Sequence, residues 1–227
     1  MSGNKAVHTP FGGGVGGGIF NVGTLTINES TVSGNSVDRA GGGILNSGTL
    51  TINNSTLSGN RAAPLSLYDG GFGDGGGIYN NEGRLTINNG TLSGNSATIS
   101  GGGIYNMTTQ ATATLQNSIV ASSPSGGNCS GTVGSNGYNL SSDGTCNFNR
   151  PGDLNNHNPL LGPLQNNGGP TQTMALLPGS PAIDGGNPSG CTDSQGHLLK
   201  TDQRGMPRPD KEDSVGCDMG AYESQSD

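Results

Sequence analysis

The chain has 227 residues, a formal net charge of −7 and a pI of about 4.7. It has no basic cluster, which argues against a nucleic-acid partner, and no apolar run approaching the ~20 residues that cross a bilayer, which argues against membrane insertion. Only 29% of the residues are hydrophobic and 11% are charged, too few for a round core and too few for a typical disordered chain. A thin solenoid, whose core is one small layer per coil, resolves this conflict.

A tail of residues 1–11 precedes a sequence repeat. The repeat is marked by the motif Gly-Gly-Gly-Ile, which begins at Gly16, Gly41, Gly75 and Gly101. The starts lie 25, 34 and 26 residues apart, and a period of this size is typical of solenoids. Each repeat continues with short runs of alternating polar and apolar residues, punctuated by Gly and Asn, which indicates strands joined by turns. Residues 12–122 therefore predict an all-β parallel β-helix with about three strands and three corners per coil.

In register, the apolar residues of the repeats form inward columns spaced by about 4.7–4.9 Å per coil. The predicted columns are Ile19, Ile44, Ile78 and Ile104; Leu25, Leu50 and Leu85; Ile27, Ile52 and Ile87; and Val32, Leu57 and Leu92. Two corners carry Asn in each of these coils, and stacked Asn side chains can hydrogen-bond along a column. These corner columns are Asn21, Asn46 and Asn80, and Asn35, Asn60 and Asn95.

The 34-residue interval contains an insertion at residues 62–74, which we expect to leave the solenoid as a loop. Asp69 and Asp74 in this segment, together with Glu82, are weak candidates for a Ca²⁺ site, because carboxylate oxygens are the ligands Ca²⁺ takes. Acidic loop residues are more often solvated than ligating. No other cofactor or metal is expected.

The region of residues 123–227 predicts irregular coils followed by a cap that covers the strand edges of the last coil. It contains Cys129, Cys146, Cys191 and Cys217. An even number of cysteines among Gly-rich and Asn-rich loops favours disulfides and an oxidising compartment. The pairing of neighbours in sequence, Cys129 with Cys146 and Cys191 with Cys217, is one of three possible connectivities.

Charged residues also concentrate near the C-terminus, where we expect arginine–carboxylate pairing within the cap rather than catalysis. This set consists of Asp202, Arg204, Arg208, Asp218 and Glu223.

Ordered motifs in this region carry a family resemblance. They include Leu-Pro-Gly-Ser-Pro-Ala-Ile-Asp at 177–184, Asp-Gln-Arg-Gly-Met-Pro-Arg-Pro at 202–209 and Cys-Asp-Met-Gly-Ala-Tyr-Glu at 217–223. Their order resembles the choice-of-anchor Q domain of bacterial surface proteins, which joins such a block to repeats like those of polymorphic outer-membrane proteins. The resemblance implies an exported, right-handed parallel β-helix, usually tethered by a sorting signal after the Ala-Tyr-Glu motif. The chain ends at Asp227, so tethering is not expected from this sequence.

Outward residues are the candidates for function. Phe20, Tyr79 and Tyr105 each follow an Ile of the first inward column, so they predict an aromatic contact stripe on one face. A packed or loop-covered stripe is an equally good interpretation. The expected partners are a second copy of the chain, docked end to end, or surface glycans.

The expected function is that of a non-catalytic extracellular surface or matrix protein, a structural or adhesive module. End-to-end assembly into filaments is a further possibility. The repeat region shows no aligned acidic column or carboxylate pair of the kind that polysaccharide lyases and hydrolases need. Two alternatives stay open: a polysaccharide-binding or polysaccharide-degrading β-helix enzyme, and an ice-binding protein that uses the outward threonine ladder, which Arg84 interrupts.

Overall fold

A computed structural model describes residues 1–7, 14–64, 73–107, 110–211 and 216–225. These residues form β-strands, turns and irregular segments, and none of them belongs to a helix that could cross a membrane. In chain order the strands are β1 (Lys5–Ala6), β2 (Ile19–Asn21), β3 (Thr24–Asn28), β4 (Thr31–Ser33), β5 (Ser36–Val37), β6 (Ile44–Asn46), β7 (Thr49–Asn53), β8 (Thr56–Ser58), β9 (Arg61–Ala62), β10 (Ile78–Asn80), β11 (Arg84–Asn88), β12 (Thr91–Ser93), β13 (Ser96–Ala97), β14 (Ile104–Asn106), β15 (Thr112–Gln116), β16 (Ile119–Ala121), β17 (Cys129–Ser130), β18 (Gly134–Ser135), β19 (Leu140–Ser141), β20 (Leu154–Asn155), β21 (Leu161–Gln165) and β22 (Thr173–Leu176).

Twenty of these strands stack in parallel as four sheets, which confirms the parallel β-helix. Sheet 1 has the order β17-β14-β10-β6-β2, and sheet 2 has the order β18-β15-β11-β7-β3. Sheet 3 is β20-β19-β16-β12-β8-β4, and sheet 4 is β1-β5-β9-β13. Each of the first three coils therefore contributes one strand to each sheet, and within the described residues the later coils contribute none to sheet 4.

The expectation of three strands per coil was wrong, because the structure has a fourth. Each strand of sheet 4 has only two residues, such as Ser36–Val37 in β5, so it contains no alternation that a sequence pattern could reveal. Val37 and Ala62 of this sheet are nevertheless buried.

The first glycine of the repeated phrase has a conformational role. Gly41 has a φ of 74°, in the left-handed region, and a Cβ there would lie 2.6 Å from the carbonyl oxygen of Ile44. Only glycine fits both conditions, because it lacks a Cβ and tolerates positive φ. The turn places Ile44 in the interior, fully buried.

The predicted inward columns are present in register. Ile44 pairs with Ile19 on one side and with Ile78 on the other, and the column continues through Ile104 to Cys129. The remaining columns run through Leu50, Ile52 and Leu57, all of which are fully buried. The core is therefore a narrow stack of aliphatic side chains.

The two predicted asparagine corners form hydrogen-bonded ladders. Asn21 Nδ2 donates to Asn46 Oδ1 at 2.7 Å, and Asn46 Nδ2 donates to Asn80 Oδ1 at the same distance. In the second ladder, Asn60 receives a 2.9 Å bond from Asn35 and donates one of 2.9 Å to Asn95. These buried amides satisfy one another and the corner backbone.

The two ends of the solenoid differ. At the N-terminal end, β1 pairs with β5, and the backbone N–H of Ser33 donates to the carbonyl of Met1 at 3.0 Å. Within the described residues, β2 and β3 are the outermost strands of sheets 1 and 2 at this end. At the other end, the Cys129–Cys146 disulfide and the buried Phe148 extend the inward core beyond the last regular coil.

Most of the C-terminal region runs along the flank of the solenoid, so it covers the earlier coils as well as the last one. We call residues 161–211 and 216–223 the strap. The strap covers the outer side of sheet 3: Thr31 Oγ1 donates to the carbonyl of Gln172 at 2.6 Å, and Thr56 Oγ1 donates to Gln203 at 2.7 Å. In the later coils this outward column becomes apolar, and Ile119 packs in a cluster with strap residues.

A third asparagine column, absent from the predictions, holds the strap. Asn54, Asn89 and Asn117 occupy equivalent turns with φ between 44° and 52°, a conformation that asparagine tolerates better than most residues. Their buried Nδ2 groups donate to the strap carbonyls of Thr201, Thr192 and Asp218 at 2.9–3.0 Å. The repeat that builds the coils thus also positions the strap.

Candidate functional site: a polar groove on sheet 2

The outer side of sheet 2 presents three polar columns. In the first column Arg84 stands between Thr49 and Thr112, and in the second Thr86 stands between Thr51 and Thr114. The third column consists of amides at the strand ends. Its members are Asn28, Asn53, Asn88 and Gln116. Alternate residues of a strand point to opposite faces. The leucines and isoleucines point inward, so the residues of these three columns point outward.

A loop of the strap, residues 192–199, overhangs these columns. Its ends are joined by a β-bridge between Thr192 and Leu198, and it follows the Cys191–Cys217 disulfide directly. Asn89 Nδ2 fixes its start by donating to the carbonyl of Thr192 at 2.9 Å. The start of the overhanging loop is therefore both anchored to the coils and cross-linked within the strap.

Asp193 organises the overhanging loop internally. Its Oδ1 accepts from the backbone N–H groups of Gln195 and His197 at 2.8 and 2.9 Å, and its Oδ2 lies 3.1 Å from His197 Nδ1. Burial tends to raise the pKa of Asp193, but the hydrogen bonds from His197 and Gln195 outweigh it and hold the pKa below its ordinary value. Asp193 is thus an ionised carboxylate that is already occupied.

The loop and sheet 2 enclose a polar groove with two chambers that share Asp193 and Ser194. One chamber of about 440 Å³ lies over Thr26 and Asn53, and the other, of about 590 Å³, lies over Arg84 and extends to β15. The chambers reach from β3 to β15, four strands of sheet 2, so at a spacing of about 4.8 Å the groove spans roughly 14 Å along the solenoid axis. These dimensions fit an extended polar ligand.

The predicted aromatic stripe exists in register but is mostly covered. Phe20, Leu45, Tyr79 and Tyr105 are successive partners in sheet 1, and the rings of Tyr79 and Tyr105 stack with centroids 5.1 Å apart. Leu45 and Tyr79 are buried with Ala40. Burial, with the neighbouring Tyr105 and Asp74, raises the pKa of Tyr79 to about 12. Among the residues of the stripe, Phe20 is the one whose side chain is largely exposed, with 54% of its surface accessible.

The five predicted charged residues of the cap come together in the strap, and all are buried. Arg204 Nη2 lies 2.7 Å from Asp202 Oδ2, and Arg208 Nε lies 2.7 Å from Glu223 Oε2. Arg208 makes two further hydrogen bonds: it donates to Asn54 Oδ1 at 3.0 Å and to the carbonyl of Gly220 at 2.9 Å. The cluster therefore joins the strap to the third asparagine column.

Two carboxylates of this cluster have raised pKa values. Burial, followed by the nearby Glu223 charge, raises the pKa of Asp218 to about 7. Burial also raises the pKa of Glu223, although Arg208 opposes the effect. Asp218 accepts from the backbone N–H groups of Asp184 and Ser224 at 2.9 and 2.6 Å, so its oxygens have structural partners.

The calcium candidates are not assembled into a site within the described part of the chain. Asp69 lies outside it, as does most of the insertion at 62–74. Asp74 and Glu82 lie beyond opposite ends of β10, and no group of three or more His, Cys, Asp or Glu residues in the described ranges is placed to hold a metal ion. Asp74 is buried, which raises its pKa to about 6.

The groove was missed by sequence reasoning. Its floor was recognised as an outward threonine ladder, but its wall comes from the strap, more than a hundred positions from β7 in the sequence. The available sequence signal was the recurrence of Asn54 and Asn89 in the third asparagine column; the side-chain donors of these two residues bond to the strap rather than to the coil.

Among the compared family models, the Chlamydia polymorphic membrane protein repeat matches residues 89–107, which include β12, β13 and β14. The chain is thus similar to this repeat over one coil-sized segment. The comparisons with curated proteins and with solved structures found no match. The two disulfides, Cys129–Cys146 and Cys191–Cys217, are typical of an extracytoplasmic protein.

Proposed function

We propose that the chain is a non-catalytic structural module of an extracellular bacterial surface, and that its polar groove makes adhesive contacts with glycans. The observation that carries this proposal is the groove itself, a face of aligned hydroxyl and amide groups on β3, β7, β11 and β15 under a cross-linked loop. Threonine hydroxyls and asparagine amides both donate and accept hydrogen bonds, which matches the hydroxyl groups of sugars. A preformed surface also loses little conformational entropy on binding.

The proposed location rests on two observations. The segment 89–107 is similar to a repeat named for polymorphic membrane proteins, and the chain has two disulfides. The ordered C-terminal motifs add the resemblance to the choice-of-anchor Q domain, and we include membership of that group in the proposal. In such a module the coils act as a rigid spacer and the groove as the contact surface.

A glycan array tests the proposal. Wild-type protein should bind a subset of glycans, and the variant Thr51→Val/Thr86→Val, which removes two hydroxyl groups from the groove but keeps side-chain shape, should lose that binding. The matched control is Thr24→Val/Thr112→Val, on the same face but outside the lining of both chambers. Equal binding by both variants, or no binding by the wild type, would contradict the proposal, and release of sugar products would contradict its non-catalytic part.

End-to-end assembly is a second candidate, favoured by the N-terminal end. There β2 and β3 are outermost within the described ranges, and Phe20 and Val22 are 54% and 70% exposed. Open strand edges beside apolar side chains favour association. Sedimentation of the wild type and of Phe20→Ser/Val22→Ser distinguishes the outcomes: assembly predicts concentration-dependent oligomers that the variant lacks, whereas a wild-type monomer at high concentration removes this candidate.

The groove supports the enzyme and ice-binding alternatives less well. Glu29 and Asp193 are the carboxylates among its described lining residues, and the lowered pKa of Asp193 leaves it without a proton to donate at neutral pH. The overhanging loop shields the column of Thr51 and Thr86, and Arg84 interrupts the neighbouring column of Thr49 and Thr112, so neither column offers ice a flat threonine ladder. Ice recrystallisation unaffected at micromolar protein would end the ice-binding alternative.

A further inference from the structure

Arg84 is an unusual side chain for its position. It is exposed at the start of β11, in the middle of a face otherwise made of hydroxyl and amide groups. Its backbone is fixed, since its N–H donates to the carbonyl of Gly48 at 2.9 Å and its carbonyl accepts from Asn46 at 3.3 Å. Within the described residues its guanidinium group has no hydrogen bond and no ion pair.

The two arginines of the C-terminal cluster differ from Arg84 in burial and pairing. Arg204 and Arg208 are buried and paired with carboxylates. Arg84 is the one cationic side chain among the described lining residues of the two chambers. Asp193 lines the same chamber, and its Oδ1 already accepts hydrogen bonds from the backbone N–H groups of Gln195 and His197. Arg84 therefore has no ion-pair partner within the described residues, although the groove also contains the carboxylates of Asp193 and Glu29.

We propose that the polar groove selects carboxylated glycans, chains that contain uronic or sialic acid, and that Arg84 pairs with the sugar carboxylate. This inference rests on the proposed glycan-binding function and names its ligand class. A guanidinium group presents parallel N–H donors that match a carboxylate in a bidentate pair. Thr51, Thr86 and Thr114 line the same chamber as Arg84 and supply neutral donors and acceptors for the hydroxyl groups of the same sugar.

The direction of the ligand follows from the shape of the groove. The chambers succeed one another along the solenoid axis, from β3 to β15, so an oligosaccharide would cross successive coils rather than follow one strand. Equivalent threonines then recur at each coil, whereas the positive charge occurs once. Neutral sugars can occupy the threonine positions, and one acidic sugar is required at Arg84.

The test compares trigalacturonate, its methyl ester and sialyllactose by titration calorimetry, with neutral oligosaccharides that the array identifies. The methyl ester keeps the sugar skeleton but removes the charge. The variant Arg84→Gln keeps a polar side chain, and Arg61→Gln, an exposed strand arginine on sheet 4, is the matched control. Circular dichroism and melting curves establish that both variants are folded.

We expect the wild type and Arg61→Gln to bind at least one of the two acidic ligands, and Arg84→Gln to bind it about tenfold more weakly or worse. The methyl ester should bind no more tightly to the wild type than to Arg84→Gln, and raising the salt concentration should weaken only the acidic ligand. Neutral glycans bound equally by wild type and Arg84→Gln, with no preference for acid, would overturn this inference while leaving the proposed function intact. Binding of no glycan of any kind would overturn both.

Discussion

The asparagine ladder at Asn60 offers a sharp test of how the coils are held. The side chain of Asn60 is fully buried and makes four hydrogen bonds. Its Oδ1 accepts from the backbone N–H and from Nδ2 of Asn35, and its Nδ2 donates to the carbonyl of Val32 and to Asn95 Oδ1. Asn60→Ala removes all four bonds. The alanine side chain has no polar group to replace them, and it leaves a small cavity.

The cost follows from the groups that lose a partner. Asn95 Oδ1 keeps the backbone N–H of Asn60 at 3.0 Å, and Asn35 Nδ2 keeps the carbonyl of Met1 at 3.4 Å. The backbone N–H of Asn35 and the carbonyl of Val32 lose these bonds inside the solenoid. At about 1–3 kcal/mol for each unsatisfied buried group, the free energy of unfolding should fall by about 4 kcal/mol. For a chain of this size, that corresponds to a fall in Tm of roughly 10 °C.

Thermal unfolding followed by circular dichroism measures this change. The matched control is Asn81→Ala, because Asn81 is only partly buried and makes a single 3.2 Å side-chain bond to Ser47 Oγ. The control should stay within about 0.5 kcal/mol of the wild type. If Asn60→Ala melted together with the control, the ladder would not be a source of stability and the reasoning would be refuted.

Three further predictions concern the strap. Replacing Cys191 and Cys217 by Ser should lower the free energy of unfolding by about 3.5 kcal/mol, because the disulfide closes a loop with a sequence separation of 26 in the unfolded chain. Limited proteolysis of this variant should cut the strap before the coils, and simultaneous cutting would contradict the prediction. Arg208→Met should cost about 3–5 kcal/mol in urea unfolding, because it leaves Glu223 buried without its cation, and a loss below 1 kcal/mol would contradict the ion-pair assignment. Tm should fall as the pH rises from about 4 to about 7, because Asp218, with its pKa raised to about 7, keeps a proton in the folded state that the unfolded chain has released; Asp218→Asn should reduce this slope, and an unchanged slope would assign it elsewhere.

The coils could be predicted from the sequence because their determinants are local. Alternation around Leu50 and Ile52 and the glycine turn at Gly41 identify strands and corners without knowledge of other coils. The repeat then supplies the register, since identical phrases pair with one another. The fourth strand escaped because two residues, such as those of β9, contain no period.

The strap and the groove could not be predicted because they depend on contacts between distant segments. A sequence signal does exist: the outward column of sheet 3 changes from Thr31, Thr56 and Thr91 to Ile119, which indicates that something covers its later coils. It does not identify the covering segment. The covering of most of the aromatic stripe also depends on distant contacts: Tyr79 is buried with Ala40, whereas Phe20 stays exposed.

The central claim, that the polar groove on sheet 2 is the binding surface, is tested most directly by a ¹⁵N-resolved NMR titration with a glycan that the array identifies. The claim predicts that shift changes concentrate at Thr51, Arg84 and Asn88 on the floor and at Ser194 in the overhanging loop, and that they saturate together. Changes centred on Phe20 and the N-terminal end, with the groove signals unmoved, would contradict it.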